Sequence, residues 1–243
     1  MMGNAVNVKA SASMKGRNII IGIDGLDTVA RALGDLQGRS PQAMKVAVNQ
    51  TARQARKLMI AAAKARYVVN AAGARHLNDL KQKNASNANM TAILNIAKMR
   101  NDLGYFETSP TTVYTGTNVR WSPKYYQARV LASSSLKDLD GGKHEIYKGL
   151  KADVSKGFLL KFKSGHVGMV QRVIGSDSKR TKTERGFPRW KTEDGRVEKL
   201  VTLGAPSAAA MHGMVWPEVR DDVELYLMAR IQDRVDWILT RYR

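Results

Sequence analysis

The chain has 243 residues, 43% of them hydrophobic, enough for one large domain or two small ones around a buried core. Its 40 Lys and Arg against 21 Asp and Glu give a net charge of +19, which favours phosphate-rich or acidic partners. Cysteine is absent, so disulfides, thiolate nucleophiles and Cys-ligated zinc or iron-sulfur sites are excluded, and a reducing cytoplasm is the expected place of assembly.

Residues 1–18 are small and polar without a period, which predicts a flexible N-terminal arm ahead of a single domain over 19–243. The arm has no apolar stretch of signal-peptide length, and no run elsewhere approaches the roughly 18 residues of a membrane span, so no membrane partner is expected. Order begins at Asn18, where a β-branched run to Ile23 predicts a strand and Gly22 to Gly25 a bend. Asp27 or Thr28 is placed to cap a short helix carrying Val29, Leu33 and Leu36.

A long helix follows, with Ser40 expected as N-cap, Pro41 in the first helical position and alanine throughout. At 100° per residue, Met44, Val48, Thr51, Ala55, Leu58, Met59 and Ala62 gather on one side. Lys45, Arg53, Arg56, Lys57 and Lys64 gather opposite, as a basic ridge. From Leu36 to Asn78 there is no acidic residue to offset it. A second short helix is expected over Ala74 to Lys83.

Beyond Met90 the texture becomes short strands separated by Gly, Ser, Asp and Pro, which predicts a mostly antiparallel sheet. Within it, Lys179, Arg180, Lys182 and Arg185 fall in an expected loop at 175–186. A cationic loop and a cationic helix can neutralise phosphates without reading sequence, so both sets are candidate DNA-facing or interface residues. The last segment predicts a helix from Pro217, acidic at its start and basic at its end. Its residues Val219, Val223, Leu227, Ile231 and Val235 recur every four positions.

Catalytic signals are sparse. His76, His144, His166 and His212 form no i, i+4 pair, which argues against a zinc site, and neither a nucleophile elbow nor a Walker loop is present. Asp177, Glu193 and Asp194 are the nearest approach to a magnesium-binding nuclease cluster, and they read more simply as solvated loop charge. The stretch "FLLKFKSGHVGMVQR" alternates, breaks at Ser164-Gly165-His166 and resumes, which is the pattern of a β-hairpin. No acid lies near His166 in the sequence to orient its ring, so it reads as a turn residue. No catalytic, cofactor-binding or metal-binding residue is assigned.

The same hairpin, with Phe162, Ser164, Gly165, His166, Gly168 and Arg172, resembles the Phe...Ser-Gly-His-x-Gly...Arg hairpin of the bacteriophage minor tail protein Z family. Further pieces follow the family order: "IIIGIDGLDTVARALGDL", an Ala/Arg/Lys helix ending "KARYVV", then "NDLGYF" and "LVTLGAPSAAAMHGMVWPEV". Ala205 before Pro206 and the charge of 175–196 depart from the pattern and bear on loop contacts only. The resemblance implies an α+β fold, a long N-terminal helix packed on an antiparallel β-sheet with a C-terminal helix. It implies a tail completion protein of the virion, in a homo-oligomeric, hexameric ring at the head-proximal end of the tail. Such a ring enables head-tail joining and genome-end positioning, touches other tail and neck proteins and surrounds viral double-stranded DNA. The alternatives are a free sequence-nonspecific DNA-binding protein and a metal-dependent nuclease.

Overall fold

The isoleucines at 19, 20, 21 and 23 are stiff at χ1 and favour extended backbone. They form β2 (Asn18–Asp24), which pairs antiparallel with β1 (Lys9–Lys15) on one side and with β4 (Thr91–Ile96) on the other. β3 (Leu80–Lys83) closes the far edge, giving a four-stranded antiparallel sheet in the order β1-β2-β4-β3. The computed structural model describes residues 9–115, 126–138, 157–176 and 197–242.

Register decides which isoleucines are buried. Ile19 faces Leu94, Ile21 faces Ala92 and Leu80 faces Ile96, and all six are buried, with Ala12 beside Ile21. Ile20 and Ile93, paired on the other face, are half-exposed. Burying a side chain of this size contributes roughly 1.5–3 kcal/mol, so the covered face carries most of the sheet's stability.

That face is covered by helices. α1 (Leu26–Leu33) runs into a 3-10 segment (Gly34–Arg39) and then into α2 (Ser40–Arg66). α2 buries Met44, Val48, Thr51, Ala55 and Met59 together with Ala43, Ala47, Ala52 and Ala63, so small residues let it lie close to its neighbours. Leu58 and Ala62 stay half-exposed at the edge of that face. Asn49 ties the helix to the sheet edge: its amide donates to the Ala85 carbonyl at 3.2 Å and its oxygen accepts from the Ala85 N–H at 2.8 Å. The C-terminal helix α4 (Ala208–Tyr242) covers the opposite edge, where Glu224 accepts from the Ala12 N–H of β1. All five residues of its four-step stripe, Val219 to Val235, are buried.

The chain divides into two compact units. The first is Met1–Ala65, Arg75–Met99 and Ser207–Arg243; the second is Arg66–Ala74 and Arg100–Pro206. The second unit holds two three-stranded antiparallel sheets, one of β5 (Glu107–Ser109), β6 (Gln127–Arg129) and β7 (Lys137–Asp138), with β6 central. The other is β8 (Phe158–Lys161), β9 (Val167–Ser176) and β10 (Val197–Thr202), with β9 central.

Several boundaries differ from the sequence expectation. Lys9–Lys15 is a strand, not part of a flexible arm, because β2 offers it a full ladder of partners from Lys9↔Asp24 to Lys15↔Asn18. Gly25, in the left-handed region, is the N-cap of α1, with no side-chain cap from Asp27 or Thr28. Ser40 is helical, and its hydroxyl donates backwards to the Gln37 carbonyl instead of capping, since the 3-10 segment feeds α2 without a break. α3 (Ala71–Asn78) starts and ends earlier than expected: Asn70 caps it by accepting from the N–H groups of Ala72 and Gly73, and Leu80 to Lys83 is extended. α4 begins at Ala208, not Pro217. Ser207 caps it through Ala210, the alanines carry it forward, and buried Val215, Trp216 and Val219 hold Pro217 within a continuous helix.

Candidate functional site

Two groups of sequence-selected residues come together, one in each unit. In the second unit, β8 and β9 form the hairpin expected around His166. The N–H of Phe162 donates to the His166 carbonyl at 2.8 Å, the N–H of Gly165 to the Phe162 carbonyl at 2.9 Å, and Gly165 takes a φ of 79°, open to glycine at no steric cost.

The ring of His166 is not a free turn residue. Its Nε2 lies 2.6 Å from Oδ2 of Asp102, which corrects the expectation that no acid orients it. Asp102 is 1% exposed and caps a one-turn 3-10 helix at Leu103–Tyr105. Its Oδ1 accepts from the N–H of Gly104 at 2.8 Å and from the N–H of Met169 on β9 at 3.0 Å. A buried carboxylate costs several kcal/mol unless it is hydrogen-bonded, and three donors from two separate segments meet that need.

Aromatic rings enclose the pair. Phe162 stacks on His166 with centroids 5.7 Å apart and 7° between planes, and Tyr105 approaches from 4.9 Å at 40°. Burial, and then the charge of Asp102, push the Tyr105 phenol above its ordinary pKa, with Arg100 opposing. Two glycines make the closeness possible. A Cβ on Gly104 would sit 2.8 Å from both the Gly168 Cα and the Val167 carbonyl oxygen, and one on Gly168 would sit 2.5 Å from Asp102 Oδ2. Among the described residues, no hydroxyl or thiol is bonded to the imidazole. The arrangement can clamp a hairpin to a turn.

Of the remaining hairpin residues, Ser164 is exposed and Arg172 stands opposite Leu200 in the β9–β10 ladder, with its side chain outside the described residues. Sequence reasoning missed Asp102, Gly104 and Tyr105 as parts of this cluster. The available signal was local: an Asp ahead of a Leu-Gly turn is a capping arrangement.

In the first unit, the basic ridge of α2 is present. Arg53, Arg56, Lys57 and Lys64 are exposed and Lys45 is half-exposed. Arg53, Arg56, Lys57 and Ile60, at i, i+3, i+4 and i+7, form one wall of an open cleft of about 390 Å³, completed by Asn78 and Gln82. Arg56 donates to the Asn78 carbonyl at 3.4 Å, while Arg53 and Lys57 have no hydrogen bond or ion pair among the described residues. Lys45 and Lys64 lie on the same helix outside the cleft. Lys179, Arg180, Lys182 and Arg185 fall outside the described residues, as do Asp177, Glu193, Asp194 and His144.

No protein family, curated protein or solved structure matches the chain. Among the described residues, no group of three His, Asp or Glu side chains is placed to hold a metal ion, and no helix is long and apolar enough to cross a membrane.

His212, the other histidine within a resemblance motif, is a structural residue. It is fully buried in α4, and its Nε2 bonds the Leu77 carbonyl near the end of α3 at 2.9 Å. Burial lowers its pKa below the usual imidazole value, with that hydrogen bond opposing.

Proposed function

We propose that the chain is a structural virion protein of a tailed bacteriophage, a tail completion protein of the minor tail protein Z kind. In this reading it forms a homo-oligomeric ring at the head-proximal end of the tail, made in the host cytoplasm, and enables head-tail joining and genome-end positioning. The observation that carries the reading is the meeting of two of its motifs. Asp102, Gly104 and Tyr105 of "NDLGYF" and Phe162, His166 and Gly168 of the hairpin form one cluster, so the motif residues act together as a single clamp. Motif residues used to fix a hairpin suit a structural protein better than an enzyme.

Surface chemistry supports the same reading. Leu225 is 69% exposed, and Met214, Trp237, Leu200 and Val201 are also exposed, which is apolar area available to neighbouring subunits. The exposed cations of α2, Arg53, Arg56, Lys57 and Lys64, suit a channel carrying double-stranded DNA. Those same cations favour the second reading, a free sequence-nonspecific DNA-binding protein.

Cryo-microscopy of the head-tail neck, with mass measurement of the purified chain, tests the proposal. A closed ring at the upper end of the tail is the expected result. A monomer absent from the neck overturns it and leaves the DNA-binding reading, which salt-sensitive duplex binding by the isolated monomer would then support.

A further inference from the structure

We infer that the cleft lined by Arg53, Arg56, Lys57, Ile60, Asn78 and Gln82 is a binding site for the phosphate backbone of a nucleic acid strand. The three cations hold a phosphate, and Ile60 with the arginine stems receives the adjoining sugar edge. This rests on the part of the proposed function that brings nucleic acid beside the chain, and it is independent of any ring or tail.

Charge is the first argument. Like charges three and four positions apart on a helix destabilise it, and Arg53, Arg56 and Lys57 stand in that relation with no acid on the cleft wall to relieve them. An anion seated among them turns that repulsion into attraction. Arginine forks present paired N–H donors that match phosphate oxygens.

Shape is the second argument. The volume of about 390 Å³ falls at the small end of ligand pockets, about 300–1,000 Å³, and exceeds what a lone phosphate group fills. Ile60 makes part of the wall apolar, as a sugar requires and an inorganic anion does not. The side-chain oxygen of Asn78, beneath the cleft wall, has no hydrogen-bond partner among the described residues, so a small shift of its amide toward the cleft would give a bound sugar hydroxyl or base N–H an acceptor. Gln82 is already held, donating to the Asn49 carbonyl at 3.3 Å and to Asn84 Oδ1 at 2.6 Å, so this part of the wall is pre-organised.

Extent is the third argument, and it selects nucleic acid over an acidic protein. Lys45 and Lys64 continue the positive face beyond both ends of the cleft, over on the order of 30 Å of helix. No acidic residue occurs from Leu36 to Asn78 to pair with a mixed-charge protein surface. A continuous cationic track fits a polymer whose charge repeats at every residue.

The test is fluorescence anisotropy of a labelled DNA duplex, and of one of its strands alone, titrated with the full chain over a series of salt concentrations. The triple variant Arg53→Gln/Arg56→Gln/Lys57→Gln is compared with Lys15→Gln/Lys98→Gln/Lys161→Gln, which removes equal charge from exposed positions elsewhere. The cleft variant is expected to flatten the slope of log K against log salt by about 2–3, and to weaken binding about tenfold or more near 0.1 M salt. The control triple is expected to change affinity less than about threefold. Arg53 and Lys57 are exposed and unbonded among the described residues, so the double Arg53→Gln/Lys57→Gln, with a slope change of about 2, serves as the second variant. Equal losses in the cleft and control variants overturn the inference, because attraction is then diffuse. Competition by polyglutamate as strong as by unlabelled DNA of the same charge overturns it in favour of an acidic protein. Competition by pyrophosphate of that strength overturns it in favour of a free anion.

Discussion

Nε2 of His166 lies 2.6 Å from Oδ2 of Asp102, a carboxylate 64 residues earlier in the chain. The carboxylate is fixed by two backbone N–H groups, so the imidazole is aimed by a partner that cannot turn away. Asp102→Ala leaves two buried N–H groups and a ring nitrogen without an acceptor and is expected to cost about 3–5 kcal/mol. Asp102→Asn keeps an acceptor for the two N–H groups and lets the imidazole switch tautomer, so about 1–2 kcal/mol is expected. Denaturant unfolding gives the order, and amide hydrogen exchange at Gly104 and Met169 localises it. Equal costs for the two variants would show that the carboxylate is not the organising group.

Gly104 and Gly168 bring two backbones closer than side chains allow. Gly104→Ala is expected to destabilise by at least about 1–3 kcal/mol, because the atoms a Cβ would meet are backbone and cannot rotate aside. Gly38→Ala is the comparison: a Cβ there has nothing within 4 Å, and a change within about 1 kcal/mol is expected. Thermal unfolding of the two variants checks the difference.

Burial lowers the His212 pKa from its ordinary 6.5, so the fold holds this ring neutral. Above that value both folded and unfolded rings are neutral and contribute no pH dependence. As pH falls through about 6.5 the unfolded ring gains a proton that the folded one refuses. Stability therefore drops by up to about 1.4 kcal/mol per pH unit until the folded ring also protonates. His212→Gln removes this dependence. Denaturant midpoints from pH 8 to about 5 should show a smaller acid loss in the variant, and an unchanged loss would place its origin elsewhere.

Neutralising Arg53, Arg56 and Lys57 relieves like-charge repulsion when no ligand is bound. The triple glutamine variant is expected to match or exceed the parent's stability by a few tenths of a kcal/mol per pair, an effect that shrinks at high salt. Thermal melts at low and high salt measure it. A large loss of stability would mean that these side chains hold the fold together.

On α4, Leu227 is fully buried and Leu225, two positions away, is 69% exposed. Leu227→Ala is expected to cost about 2–5 kcal/mol and Leu225→Ala less than about 0.5 kcal/mol in the isolated chain. If Leu225 packs against a neighbouring subunit, its substitution weakens assembly and leaves monomer stability intact, which sedimentation separates from unfolding.

Periodicity was enough to read much of this molecule from its residues. The two faces of α2, the buried stripe of α4, the strand at Asn18–Asp24 and the hairpin at His166 all follow from spacing, because side-chain direction repeats every 3.6 residues in a helix and every two in a strand. Together those elements make up the α+β class that the resemblance implied. Tertiary structure decided what depends on partners distant in the chain. Lys9–Lys15 alternates Ala10, Ala12 and Met14 with Ser11, Ser13 and Lys15, a faint two-residue pattern of small side chains that β2 completes by offering a full ladder of partners. α4 runs through Pro217 because buried neighbours on either side outweigh one missing hydrogen bond. Asp102 was assigned no role until folding brought it to His166, and Asn78 and Gln82 joined the α2 cations in the same way. A carboxylate removed from water must find donors wherever the fold supplies them, and no local spacing rule records where that will be.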